Sequence, residues 1–355
     1  GFGFRTCDAE ELEPMVEEAT RATDLTRGPL AWAVLVPGRD ETGDALALVI
    51  HHLIVDGVSW RVLQQDFTAA LSCLDEGRPV ELPSAALADD GSFPAWARRL
   101  AEYAHDPTVL DQAAFWRSVL AGRPGPLSSD ALVAARRKTD LRECSVLLDA
   151  ESTRNLLGPC RKTLGADMDA LLLAGLVLAA RDWRGAPGLT VDLEGHGRQE
   201  LFPDVAPGAI VGWFTTVHPV ALMARADLVA TVNGVRQTLD AAPDKGLGFG
   251  VLKHVAGVEL TDYTADVLFN YLGDASDAGG GPLALERIGF PSDVAPDYPQ
   301  QAKLAVTSLI RDGRLDVTIE AHGQEFTAAS LEGLLTALER RLREIAGYGR
   351  RGERQ

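Results

Sequence analysis

Short apolar runs and amphipathic segments follow one another along this chain, and this pattern predicts strands mixed with helices. The runs Ala31–Val36 and Ala45–Ile50 have the length and apolar character of strands. The acidic stretch from Asp8 to Arg21 is predicted to be helical. Another helix is predicted to begin with Ser59 as its N-cap, because apolar residues recur at nearly helical spacing from Trp60 to Leu71.

The second part of the chain repeats this alternation. The predicted strands are Cys144–Leu148, Leu189–Leu193, Asp266–Phe269 and Leu315–Glu320, and the predicted helices are Asp111–Leu120, Asp167–Trp183 and Leu331–Ile345. Glycines predict flexible loops at Lys245–Gly250 and Gly279–Gly281, and Gly347–Gln355 is a predicted frayed tail. The Gly-, Pro- and Ser-rich segment Ala121–Asp130 is the predicted linker. We therefore expect a mixed α/β (α+β) protein of two lobes, residues 1–125 and 126–350.

Composition and charge argue against several classes of partner and site. Lys+Arg 34 against Asp+Glu 51 gives a net charge of −17, which argues against a nucleic-acid partner because phosphate binding depends on Lys and Arg. The four cysteines show no metal-ligand spacing, so we expect reduced thiols in a cytoplasmic protein and no metal site. The longest apolar run, Ala170–Ala180, has about half of the roughly 20 residues that cross a bilayer, so we expect a buried core helix and no membrane segment.

Two adjacent histidines, His51 and His52, follow the second apolar run and precede Asp56-Gly57. Neighbouring residues of a strand point to opposite faces, so one histidine can be buried while the other reaches a cavity. The alternative is a histidine that is buried in the core and hydrogen-bonded. Metal binding is disfavoured, because no third Cys or His ligand lies at a usual spacing. General base catalysis is the better functional interpretation, with Asp56 organising the loop.

A second polar cluster follows the strand predicted at Leu189–Leu193. The segment from Glu194 to Arg198, EGHGR, brings a carboxylate, an imidazole, a guanidinium and two glycines to a strand end. Desolvation of Glu194 would raise its pKa towards neutrality and make it a proton donor or acceptor. A tight turn with solvated charges is an equally good interpretation of the pentapeptide alone. Asn270-Tyr271 offers an amide and a phenol, or is an ordinary turn.

Five segments together resemble one family. HHLIVDGVSW (51–60) resembles the HHxxxDGxSW motif of the condensation superfamily of nonribosomal peptide synthetases. EGHGRQELFPD (194–204), VGWFTTVHPV (211–220), DKGLGFG (244–250) and FNYLG (269–273) follow in order. The set is similar to the epimerization domains of that superfamily, since condensing members usually lack the EGHGR pattern. The resemblance extends from about Leu30 to near Leu342.

The resemblance implies two chloramphenicol acetyltransferase-like lobes, arranged as a V-shaped pseudo-dimer with a central tunnel. A peptidyl carrier domain would deliver an aminoacyl or peptidyl thioester on its phosphopantetheine arm, and the domain would invert the α-carbon from L to D. It implies no intrinsic cofactor, and neighbouring synthetase domains as further partners.

The resemblance also assigns site residues. His52 and Glu194 match the catalytic pair of the family and are expected to face each other across the substrate α-carbon. Supporting or substrate-lining positions are His51, Asp56, Gly57, Ser59, Arg198, Asn270 and Tyr271.

Two departures from the family bear on activity. The chain begins without an initiator Met and several tens of residues later than family members do, which fits either a truncated fragment or a genuinely shortened lobe. The missing part is expected to include the first strand and helix of the N-terminal lobe. His218 stands where these domains usually have Tyr before Pro. Two alternatives therefore stay open, a peptide-bond-forming condensation domain and a catalytically silent relative that docks a carrier domain or a tailoring enzyme.

Overall fold

The computed structural model describes residues 1–38, 43–84, 92–133, 136–274 and 298–352. These residues group into two compact units. The described parts of Gly1–Phe93 and Asp204–Phe214 form the first, and the other described residues form the second. The segment 94–125 thus groups with the second unit. The division into lobes 1–125 and 126–350 remains a prediction.

The first unit contains a three-stranded sheet. Strand β1 (Phe2–Thr6) runs parallel to β2 (Ala31–Val36), which pairs antiparallel with β3 (Ala45–Ile50). Helix α1 (Leu12–Arg21) packs on β2, where Val34 and Val36 form a small core with Cys7. Helix α2 (Gly57–Asp75) follows β3 after a short turn.

The second unit contains a mixed sheet in which six described strands have the order β4-β9-β8-β7-β5-β6. Its strands are β4 (Leu141–Leu147), β5 (Gly188–Gly195), β6 (Thr216–Met223), β7 (Val267–Asp274), β8 (Leu304–Arg311) and β9 (Arg314–His322). The pairs β5–β7 and β7–β8 are parallel, and the pairs β4–β9, β5–β6 and β8–β9 are antiparallel. Parallel pairing brings the carboxyl ends of β5 and β7 to the same edge of the sheet, so residues after those ends become neighbours.

Nine described α-helices follow α2 along the chain, and several of them pack on this sheet. Their bounds are α3 (Phe93–Tyr103), α4 (Pro107–Leu110), α5 (Ala113–Ala121), α6 (Ala150–Asn155), α7 (Arg161–Leu164), α8 (Met168–Arg184), α9 (Leu228–Asp240), α10 (Leu247–Gly250) and α11 (Ala328–Gly352). Helix α8 is buried at every position from Ala170 to Ala180, which confirms the predicted core helix. It packs closely on α11, since a Cβ at Gly175 would lie 2.8 Å from the Leu342 side chain.

Among the described helices, no single one is long and apolar enough to span a bilayer, although the bent pair Ala150–Leu164 and Met168–Arg184 has sufficient length and apolar character.

Several sequence predictions need correction. The N-cap of α2 is Asp56 and not Ser59, which lies inside the first helical turn. Helix α11 continues to Gly352, so most of the predicted frayed tail is helical, and residues 353–355 lie outside the described residues. Leu247–Gly250 of the predicted flexible loop is the short helix α10. The predicted loop Gly279–Gly281 lies outside the described residues.

Candidate active site

The two adjacent histidines directly follow the end of strand β3, as predicted, and they lie in a turn. Strand β3 ends at Ile50, and His52–Ile54 form one 3₁₀ turn before α2. Strand alternation therefore does not set the directions of their two side chains. His51 holds this turn, because its backbone N–H donates to the Leu30 carbonyl (2.8 Å) and its Nδ1 accepts from the Leu53 N–H (3.1 Å).

His52 is exposed and so is not a core histidine. Its ring lies beside the indole of Trp213, with 4.9 Å between ring centroids and 51° between planes. No hydrogen bond from another described residue to its ring is present in the structure. The indole restricts the orientation of the imidazole while its nitrogens stay available to a substrate.

Asp56 is buried and hydrogen-bonded through both carboxylate oxygens. Its Oδ1 accepts from the backbone N–H and the hydroxyl of Ser59, each at 2.8 Å. Its Oδ2 accepts from the Phe214 N–H at 3.0 Å. These bonds cap α2 and fix the start of the helix relative to the His51-His52 turn. Asp56 therefore organises the loop through its own hydrogen bonds.

The segment around Trp213 is joined to the same helix start. The Ser59 hydroxyl oxygen accepts a hydrogen bond from the Gly212 N–H at 3.1 Å. A Cβ on Gly212 would lie 2.4 Å from the Phe93 ring, so a larger residue there would displace the segment. Sequence analysis assigned Trp213 no role, although it lies in the quoted VGWFTTVHPV segment. Gly57 differs from Gly212, because the protein leaves open space at its Cβ position and its φ is not left-handed.

Glu194 lies near the carboxyl end of β5, in the second unit, and is half-buried. Its Oε2 accepts a hydrogen bond from Nδ2 of Asn270 at 2.5 Å. The two residues lie one position beyond Leu193 and Phe269, the last paired residues of the parallel strands β5 and β7. Because successive side chains alternate between faces, both polar groups point away from the core face that Leu193 and Phe269 share.

The structure separates the two residues of the Asn270-Tyr271 pair. Asn270 contacts Glu194, whereas the Tyr271 ring packs against the hydrophobic core. Glu194 is followed by a tight turn in which Gly197 has φ +66° and His196 Nδ1 accepts from the Arg198 N–H at 3.0 Å. Arg198 is buried.

A second carboxylate, which the sequence motifs did not single out, lies on this strand. Asp192 precedes Glu194 by two residues, so both side chains point to the same face of β5. The Tyr263 hydroxyl donates to Asp192 Oδ1 at 2.5 Å. Desolvation raises the pKa of Asp192, and it raises the pKa of Tyr263 as well. The i, i+2 spacing of two acids on a predicted strand was the available signal.

His218, the departure from the family pattern, is buried on β6. Its ring lies 5.7 Å from the Trp116 ring in an edge-to-face arrangement, and its Nδ1 has no hydrogen-bond partner among the residues that the structure describes. Desolvation lowers the pKa of His218 to about 4, so the ring is neutral at pH 7. Within the described ranges, no group of three or more His, Cys, Asp or Glu side chains is arranged to hold a metal ion.

Known proteins resemble this chain along nearly its whole length. Surfactin synthase subunit 2 of Bacillus subtilis (strain 168) is 30% identical over 325 residues, and tyrocidine synthase 2 of Brevibacillus parabrevis is 32% identical over 336 residues. Each alignment covers 91% of this chain but 9% of the relative, so the chain spans about a tenth of those synthases.

Solved structures share the fold. The crystal structure of the epimerization domain from the third module of tyrocidine synthetase B has a TM-score of 0.87 at 27% identity, covering 99% of this chain and 81% of that one. The X-domain from teicoplanin biosynthesis has a TM-score of 0.68 at 22% identity, covering 98% of this chain and 79% of that one. The predicted mixed α/β fold is thus confirmed. A family model described as the condensation domain matches residues 4–354, and the chain belongs to the condensation-domain family.

Proposed function

We propose that this domain epimerises the α-carbon, from L to D, of an aminoacyl or peptidyl thioester held on the phosphopantetheine arm of a peptidyl carrier domain. The observation that supports this best is the Glu194 carboxylate, oriented by Asn270 at the carboxyl ends of β5 and β7. Condensing relatives usually lack the EGHGR segment that supplies this carboxylate. The similarity to the tyrocidine synthetase epimerization domain supports the same assignment.

The proposed chemistry needs two proton-transfer groups. The α-proton of a thioester is weakly acidic, so its removal requires a positioned base and stabilisation of the enolate oxygen. Inversion requires that a proton return to the opposite face of the α-carbon. We assign one transfer to His52, whose imidazole is exposed beside Trp213, and the other to Glu194. Asp56 and His51 position the His52 turn, and Asn270 positions the Glu194 carboxylate.

The proposed partner follows from the relatives. They are synthases of which this chain spans about a tenth, so the thioester would come from a carrier domain that neighbours or docks with this one. The substrate arm brings the thioester, and the proton transfers themselves call for no further cofactor.

Condensation is the second candidate function. The matching family model is that of condensation domains, and the HHxxxDG segment is shared by members that form peptide bonds. A condensation domain would use His52 with a second, acceptor aminoacyl carrier. Under that alternative Glu194 would be dispensable for the reaction.

Mass spectrometry of a loaded carrier in deuterated water tests these functions. The aminoacyl carrier is incubated with the protein, with the His52→Ala variant or alone, in the presence and absence of a second loaded carrier. The thioester is then hydrolysed, and the deuterium content and the stereochemistry of the amino acid are measured.

The proposal expects one deuterium at the α-carbon and accumulation of the D-isomer with the parent protein, and no D-isomer with His52→Ala or the carrier alone. A joined product without deuterium would overturn epimerization in favour of condensation. Carrier binding with neither deuterium nor a joined product would overturn both and favour a docking domain.

A further inference from the structure

Asp192 lies on the same strand, and points to the same face, as the carboxylate assigned to proton transfer. Strand β5 pairs with β6 in an unbroken register along its whole length, so its side chains alternate regularly between the two faces. Val191 and Leu193 belong to the hydrophobic core, and Asp192 and Glu194 therefore point away from it. Two residues of strand separate the Cα atoms of Asp192 and Glu194 by about 7 Å. The two carboxylates are neighbours on one surface of the sheet.

The two oxygens of the Asp192 carboxylate differ in their partners. Oδ1 accepts a hydrogen bond from the Tyr263 hydroxyl at 2.5 Å. Oδ2 accepts none from any described residue, and the described residues do not enclose it. The Lys253 ammonium lies over the Tyr263 ring, 5.8 Å from the ring centroid, and forms no ion pair with Asp192. Within the part of the chain that the structure describes, Asp192 thus has one donor on Oδ1 and no cation in contact with Oδ2.

A carboxylate in this position favours a cationic ligand. Asp192 is half-buried, and removing a charge from water costs free energy unless a partner compensates it. The raised pKa of Asp192 has the same physical cause, because desolvation disfavours its ionised form. An ammonium group at Oδ2 would offset this cost through a charge-assisted hydrogen bond. Because Tyr263 occupies Oδ1, Oδ2 is the oxygen that such a ligand would contact.

The proposed reaction brings an amino group to this position. A proton-transfer group approaches its carbon to about 3–3.5 Å. The amino nitrogen is bonded to the α-carbon at about 1.5 Å, and a hydrogen bond from it to a carboxylate adds about 3 Å. The span from a Glu194 oxygen through the α-carbon and the amino nitrogen to a second acceptor is therefore at most about 8 Å, which accommodates the separation of the two residues on β5.

We propose that Asp192 is a specificity-determining residue whose Oδ2 binds the α-ammonium group of the substrate, so that this domain acts on aminoacyl and not on peptidyl thioesters. The inference rests on the function proposed above and names its substrate class. Tyr263 is a positioning residue, because its hydroxyl holds the Asp192 carboxylate through Oδ1. The α-nitrogen of a peptidyl thioester is a neutral amide, which would leave the carboxylate without a cation.

The test measures kcat/KM for α-deuterium exchange on two carriers, one loaded with an aminoacyl group and one with the same amino acid N-acetylated. N-acetylation removes the charge and keeps the α-carbon, the side chain and the thioester. The parent is compared with Asp192→Asn, which keeps the size of the side chain and an acceptor for Tyr263. Asp262→Asn is the matched control for the loss of one negative charge, because Asp262 is exposed and adjacent to Tyr263 in sequence. The Tm of each variant is recorded.

We expect the parent to prefer the aminoacyl carrier about 10- to 100-fold, as for a hydrogen bond between two charged groups. Asp192→Asn should lose this preference, through a fall of about the same size in kcat/KM for the aminoacyl carrier and little change for the N-acetylated one. Asp262→Asn should keep both parent values.

A double-mutant cycle tests the positioning role of Tyr263. Tyr263→Phe removes the hydroxyl and keeps the Asp192 charge, so it should reduce the preference for the aminoacyl carrier in the parent and have no further effect on it in the Asp192→Asn background. A preference that Tyr263→Phe leaves unchanged would overturn this part of the proposal.

The remaining outcomes separate the inference from the proposed function. Equal exchange of both carriers by the parent, or a preference for the N-acetylated one, would show that the Asp192 assignment is wrong while the proposed function stands, and this result needs no variant. A preference that Asp192→Asn retains, or an equal fall on both carriers, would also overturn the assignment. If the parent exchanges neither carrier, the proposed function fails and the inference fails with it.

Discussion

The side-chain amide of Asn270 on β7 donates a hydrogen bond to the Glu194 carboxylate on β5, with 2.5 Å between Nδ2 and Oε2. This bond fixes one carboxylate oxygen, and in the proposed mechanism it sets the direction from which Glu194 exchanges a proton. The neighbouring Tyr271 ring packs against the core instead. Asn270 and Tyr271 therefore offer matched substitutions on one strand.

We expect Asn270→Ala to lower the rate of inversion about 10- to 100-fold, because the carboxylate loses its orienting donor. The Asn270→Asp variant should invert the substrate more slowly still. The acidic limb of its pH–rate profile should move to higher pH, because a carboxylate at position 270 disfavours ionisation of Glu194. Tyr271→Phe is the control and should stay near the parent rate. Equal effects of all three substitutions on the kinetics would contradict the assigned role of Asn270.

Asp56 should contribute mainly to stability. Asp56→Ala removes the cap of α2 and leaves the Ser59 hydroxyl and the Phe214 N–H without this acceptor, so we expect a loss of about 2–4 kcal/mol in the free energy of unfolding. Asp227→Ala is the control. Asp227 is the exposed N-cap of α9, and its carboxylate accepts a hydrogen bond from the Ala230 N–H. This substitution should lower the free energy of unfolding by about 1 kcal/mol. Urea denaturation measures both. Equal losses would contradict a special role of Asp56.

The contact between Gly246 and His218 gives a steric prediction. Gly246→Ala places a Cβ 1.9 Å from the imidazole Nδ1 at a φ of +88°, so we expect a loss of more than about 2 kcal/mol in the free energy of unfolding. Gly250→Ala, six residues from the start of the same DKGLGFG segment, meets open space at a helical φ and should be neutral or slightly stabilising. Thermal unfolding of the two variants tests the difference. A Gly246→Ala variant as stable as the parent would show that Gly246 does not pack on His218.

His218 should make stability depend on pH between about 4 and 6.5. Its folded pKa of about 4 lies below the ordinary 6.5, so the unfolded state binds more protons in this window and stability rises with pH. The free energy of unfolding is highest above pH 6.5, where His218 is neutral in both states. It falls as pH falls towards 4, by about 3 kcal/mol in total at 1.36 kcal/mol per pKa unit. Asp169 titrates in the same window with the opposite sign, because burial raises its pKa to about 6, so the effect of His218 is measured as a difference between parent and variant.

The His218→Phe variant isolates this effect, because it keeps a buried ring and removes the titrating group. Urea denaturation of parent and variant at intervals from pH 4 to pH 8 should give a difference in unfolding free energy that changes below pH 6.5 and is constant above it. A constant difference over the whole range would contradict burial of a neutral His218.

Local pattern was sufficient to predict much of the fold. The bounds predicted for β2 and β3 are those of the structure, because each run is apolar and ends at a turn. Strand β6 was missed because Pro219 interrupts it, and proline is tolerated there since β6 lies at the edge of the described sheet. Strand β1 is short, contains glycine and was missed for lack of an apolar run.

The sequence identified the main residues of the candidate site but not the contacts that hold them. His52 and Glu194 follow from motifs, whereas the ring of Trp213 beside His52 and the Phe214 N–H on Asp56 join segments about 160 residues apart in sequence, which no local pattern encodes. The positive φ angles of Asp244 and Lys245 were equally hidden, because the glycines around them predicted a flexible loop and the hydrogen bonds that Asp244 accepts from Tyr103 and Gln112 are long-range.

The central claim is that Glu194 transfers one of the two protons of an inversion. Its most direct test is the initial rate at which the Glu194→Gln variant converts a carrier-bound L-aminoacyl thioester to the D-isomer, measured beside the parent with the free energy of unfolding of both. The account predicts a fall of about 10²- to 10⁴-fold with stability nearly unchanged, as for loss of a positioned acid or base. Inversion by Glu194→Gln at the parent rate would contradict the account, and Tyr271 would then be the next residue to substitute.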